Sequence, residues 1–196
     1  MTTDASRTPT DLDRLAEQWL DQMVEHAPEM RVELGRPGDQ SAYADHSPDG
    51  RAAAADAARA VLRRAESARA TDAVDEVTRS ELVRTIGVEI EMHDAGFWRR
   101  DLNVIASPAQ GLREVIDLMP TATPDDWAAI AVRLHRLPAA MDGYVASLRA
   151  GAEAGDAPAA RQVREVGAQA ATLARPDGYF GRLAGECTRG VVEARA

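Results

Sequence analysis

Four histidines, His26, His46, His93 and His135, are the side chains best suited to metal or proton chemistry in this sequence. The commonest zinc hydrolases need HExxH, which sets two imidazoles on one helix face with a glutamate beside the metal-bound water. No two histidines here are four positions apart, so that pattern is absent from the 196 residues. The nearest substitute is Glu89 with His93, one helical turn apart. Two ligands make a weak site. His93 also shares a helical face with Ile86, Ile90 and Phe97, which fits a partly buried histidine of a bundle or one turned toward a cleft. No catalytic residue and no metal ligand is assigned.

Arg99, Arg100 and Asn103 follow the same helical stretch. Two arginines beside a polar turn can grip a substrate carboxylate. They can equally satisfy the last carbonyls of the preceding helix, and both roles stay open. With His93, Trp127 and Tyr144 they form the candidate substrate-binding set. Tyr43, Asp45 and His46 lie in a polar loop, where binding residues concentrate. Asp13, Glu17, Asp21 and Glu25 recur every fourth residue, which reads as a solvated helix face opposite a Leu/Trp/Met stripe. The chain has no lysine, so Schiff-base chemistry is excluded. It has no G-x-S-x-G elbow, P-loop or GxGxxG fingerprint. Cys187, the single cysteine, falls on an apolar stripe and reads as core.

The elements that must position these residues are helices. Thr10 with Asp13 forms a capping-box start, followed by Leu12, Leu15, Trp19 and Met23 at helical spacing up to Pro28. Residues 29–49 read as a loop because they hold Gly35, Pro37, Gly38 and Pro48 among polar residues. Ser47-Pro48, Thr71-Asp72, Ser107-Pro108 and Thr123-Pro124 each start a helix. These are expected to run to about Ala70, Trp98, Pro120 and Leu137. Pro138 is expected to break or kink the chain. Two further helices follow, after Pro158 and after the Pro176-Asp177-Gly178 turn. The expectation is an all-α bundle of about seven or eight helices. Residues 1–9 read as a disordered leader and 10–196 as one helical domain. The chain ends on a helical stripe, as at a fragment boundary.

Apolar residues make up 45% of the chain and aromatic residues 4%, so alanine-rich helices must supply the core. The 32 acidic residues exceed the 23 basic ones, for a net charge of −9. That balance argues against nucleic acid and anionic membranes as partners. No apolar run approaches the ~20 residues of a membrane span. A cytoplasmic location is expected.

Several blocks align in order with one family. They are DRLAEQWLDQMVEHAPEMRVELG, YADHSPDG, TRSELV, RRDLNVIASPAQGLREVIDLMPTATPDDWAAIAVRLHRLPAAMDGYVASLRAG and APAARQVREVGAQ. Together they resemble the N-terminal part of the bacterial domain-of-unknown-function 885 family. Full-length members resemble zinc metallopeptidases of the thimet-oligopeptidase and carboxypeptidase type, with a channel between two helical halves and HExxH in the later half. The resemblance implies that this chain supplies a helical wall of the substrate channel and is not catalytic by itself. Zinc is expected only in full-length members, with no cofactor in this chain. A stand-alone helical ligand-binding or protein-interaction module is the alternative. Expected partners are a peptide or small-molecule ligand, a second copy, or a C-terminal half.

Overall fold

The computed structural model describes residues 7–193, with side chains to Cys187. Its helices are α1 (Asp11–His26), α2 (Met30–Glu33), α3 (Pro48–Ser67), α4 (Ala73–Asp94), α5 (Pro108–Asp117), α6 (Pro124–Glu153), α7 (Ala160–Leu173) and α8 (Tyr179–Glu193). A 3-10 turn, Phe97–Arg99, follows α4. Among the described residues there is no strand. The all-α bundle expected from the sequence is the architecture found.

Side-chain caps start most of these helices. In α1, Thr10 N–H donates to Asp13 Oδ2 at 2.8 Å, and Asp13 N–H returns a bond to Thr10 Oγ1 at 3.3 Å. Thr123 caps α6 in the same reciprocal way, and the Ser47 and Asp72 side chains each accept one backbone N–H at the starts of α3 and α4. Each such cap is worth about 1 kcal/mol. Gly96 ends α4 in the left-handed region at φ 70°, where a Cβ would be strained. That stop comes before Trp98, so Phe97, Trp98 and Arg99 form a separate turn and leave the helix axis.

Two apolar cores result. Leu12 and Leu15 of α1 pack with Ala58, Val61 and Ala65 of α3 and Leu82 and Ile86 of α4. Val115, Ile116 and Met119 pack with Ile130 and Leu183 to join α5, α6 and α8. Asp75, with no exposed surface, ties the first core's helix starts together. It accepts from Thr10 and Thr71 hydroxyls at 2.6 Å and pairs with Arg7. Those bonds hold its carboxyl at about 2. Arg7 also pairs with Asp13 and Asp72 at 2.6 Å. Residues 1–6 of the expected leader lie outside the described residues.

Two expectations are corrected. The 29–49 stretch contains a short helix, α2, and is fastened along its length. Buried Arg133 donates from Nε and Nη2 to Gln40 O at 2.9 and 2.5 Å. Arg136 pairs with Asp39 at 2.7 Å, Tyr43 Oη donates to Leu112 O at 2.8 Å, and Ser147 Oγ donates to His46 O at 2.5 Å. Pro138 does not break the chain; α6 runs through it for 30 residues. Proline removes one helix bond, but Pro138 itself is exposed, so its ring crowds no core neighbour. Burial of Ile130 and Arg133 before it, and of Tyr144, Ser147 and Gly151 after it, holds both halves in line.

Candidate functional site

The sequence-derived candidates lie on several elements, some exposed and some buried. Arg99 and Arg100 both pair with Asp156, at 3.7 and 3.2 Å. Their guanidiniums lie over the Trp98 and Phe97 rings, respectively. Asn103 holds its own turn, accepting from Ile105 and Ala106 N–H at 2.9 and 2.7 Å and donating to Ala106 O at 2.6 Å. Trp127 packs against the second core, and its carbonyl accepts from Cys187 Sγ at 3.9 Å. Tyr144 is buried and donates from Oη to Asp101 O at 2.5 Å. Burial pushes its phenol up to about 12. His93 stacks on Trp98 with centroids 6.0 Å apart, and burial lowers its imidazole. The acidic row of α1 is surface: Arg36 reaches Glu17 at 3.9 Å and Asp21 at 2.6 Å.

Two hollows lie between these elements. The larger is an open groove of about 1670 Å³ bounded by α5, α6, α7 and α8. Met141, Val145 and Leu148 of α6 face Val166 and Leu173 of α7 across it. None of the α7 residues is buried, so its apolar stripe borders open space. The rim is polar: Gln110 Nε2 donates to Gln169 Oε1 at 2.9 Å, and Gln169 Nε2 donates to Val104 O at 3.1 Å.

The smaller cavity, about 420 Å³, lies among α1, α3, α4 and the segments that join them. Trp19, Met23, Ile90 and Trp98 give it apolar walls, and Glu29, His46, Arg51 and Asp101 give it a charged end. Arg51 Nη2 bonds His46 Nδ1 at 2.8 Å. A guanidinium only donates, so Nδ1 accepts and the imidazole proton sits on Nε2. That nitrogen faces Glu29 Oε1 at 3.9 Å. Glu29 Oε1 is itself held by Ala44 N–H at 2.9 Å. Burial, then the Arg51 charge, pushes His46 down to about 4, so it is neutral at pH 7. Burial raises the Asp101 and Glu89 carboxyls and lowers Arg51, because each loses hydration of its charged form.

Of this second constellation, Asp45, His46, Glu89 and His93 stand out by position in the sequence. Arg51 stands in an alanine-rich helix, and Glu29 and Asp101 stand in connecting segments. No linear spacing relates them. Among the described residues no group of three or more His, Cys, Asp or Glu is placed to hold a metal ion. No described helix is long and apolar enough to cross a membrane.

Comparison with curated proteins returns no match. The family model for "Bacterial protein of unknown function (DUF885)" matches residues 28–190, most of the chain, and the chain belongs to that family.

Proposed function

We propose that this chain is the helical, substrate-channel part of a metallopeptidase-like protein and is not catalytic by itself. The observation that carries this reading is the open groove of about 1670 Å³ between α6 and α7. Its walls are apolar, and its rim carries Gln110, Gln169, Arg113, Arg161 and Glu165. An extended peptide needs that combination, because its side chains seek apolar pockets and its backbone groups seek hydrogen bonds. The zinc of a metallopeptidase finds no fitting donor set among the described residues, and no bond-breaking step is assigned to them.

A labelled peptide of mixed apolar sequence, titrated against the chain by fluorescence anisotropy, tests the reading. Saturable binding is expected, weakened roughly tenfold by Met141→Glu with helical circular dichroism unchanged. Absence of binding, or binding indifferent to Met141→Glu, removes the channel role. The smaller cavity favours a second reading, a helical ligand-binding module. Its apolar walls end in a charged group, as a small-ligand site does.

A further inference from the structure

Arg51 and Asp101 line the same cavity. Each feels the other's charge, yet no hydrogen bond or ion pair joins them among the described residues. Arg51 is held through Nη2 by the neutral His46 ring, and its buried Nε has no hydrogen-bond partner among the described residues. Asp101 is anchored through its backbone, where its carbonyl accepts from Tyr144 Oη at 2.5 Å. No described residue makes a hydrogen bond to its carboxylate. Two opposite charges therefore line one cavity, partly desolvated and not joined to each other. Partly buried charges are costly until they are paired.

We infer that the cavity binds a free α-amino acid with an apolar side chain, its carboxylate on Arg51 and its ammonium on Asp101. A zwitterion gives each fixed charge its opposite and adds no net charge. A simple carboxylate would satisfy Arg51 but add a negative charge beside Asp101, Glu29, Asp45 and Glu89, which all line the cavity. A simple amine would leave Arg51 with no anionic partner. The planar guanidinium suits a carboxylate with two parallel bonds. Trp19, Met23, Ile90 and Trp98 offer an apolar wall for the side chain. The volume, about 420 Å³, suits a small ligand. This site is separate from the α6–α7 groove, and it stands or falls independently of peptide binding there.

The test is isothermal titration of the full chain with L-leucine, L-methionine and L-phenylalanine. The expected result is saturable binding of at least one, with a Kd below about 1 mM. N-acetyl-L-phenylalanine keeps only the carboxylate, and L-phenylalanine amide keeps only the ammonium. They also mimic the two ends of a peptide, and each is expected to bind at least roughly tenfold more weakly than the free amino acid. Asp101→Asn is expected to weaken the amino acid and erase the discrimination against the N-acetyl compound. The half-ligand comparison uses the unaltered chain, so it remains decisive if a variant misfolds. No binding of any of the three amino acids, or equal binding of either half-ligand, overturns the inference.

Discussion

Arg51 donates from Nη2 to Nδ1 of His46 at 2.8 Å, and that bond fixes the imidazole as its neutral Nε2–H tautomer. The ring cannot take a second proton without breaking the bond. Ser147 on α6 holds the same residue by its carbonyl. His46 therefore joins the first core's cavity to the long helix of the second.

This arrangement makes stability depend on pH. His46 has a folded value of about 4 against an ordinary 6.5. Between those values the unfolded chain binds the proton and the folded chain does not. Stability should be fully present above about pH 6.5 and fall as pH drops toward 4. The loss from this one group is up to about 3 kcal/mol. Urea unfolding at steps between pH 7 and pH 4 checks it. His46→Gln should flatten the profile in that window; an unchanged slope would show that His46 does not titrate as its burial requires.

Tyr144→Phe should destabilise the chain by about 1–2 kcal/mol, because the part-buried Asp101 carbonyl loses its donor. The aromatic ring stays, so core packing is spared. Thermal melts measure the cost. The same change should weaken amino-acid binding, since Asp101 is positioned through that carbonyl. A variant as stable as the parent would mean that another donor takes over.

Local chemistry was readable in the sequence, and convergence was not. Thr10, Ser47, Asp72 and Thr123 act on backbone groups three residues away, so their caps are visible in a linear string. Pro138 misled because its effect depends on exposure and on packing either side of it. The 29–49 segment has a loop's composition, but the bonds that fasten it come from Leu112, Arg133, Arg136 and Ser147. Each lies more than sixty residues away. The cavity is assembled from Glu29, His46, Arg51 and Asp101. Residues from separate segments leave no periodic trace. His93 was visible because a helical wheel places it beside Ile86 and Ile90, and Arg51 was hidden among alanines.

Arg133 makes the least replaceable of those fastenings. It is fully buried, donates twice to Gln40 O, and lies 4.9 Å over the Tyr43 ring. Arg133→Ala should cost about 2–4 kcal/mol, combining lost packing with an unsatisfied carbonyl. The segment around Gln40 should then open before the rest. Limited proteolysis is expected to cut there in the variant and not in the parent. Cleavage at the same rate in both would show that Arg136 and Tyr43 suffice to hold the segment.

Two glycines in helices should respond to alanine in opposite directions. At Gly151 in α6, a Cβ would collide with the Arg99 carbonyl oxygen and sit 2.8 Å from Arg99 Cβ. The 3-10 turn would have to move, and overpacking of this kind costs about 1–3 kcal/mol. Because that turn carries Trp98 and leads into Asp101, the smaller cavity should change shape as well. Gly167 in α7 has nothing within 4 Å of the same added atom. There alanine only removes glycine's excess freedom in the unfolded chain, a gain of about 0.5–1 kcal/mol. Paired thermal melts of Gly151→Ala and Gly167→Ala should therefore move Tm down and up. A fall at Gly167 would mean that α7 packs against a surface this arrangement leaves open, and the groove beside it would be narrower than its helices now draw it.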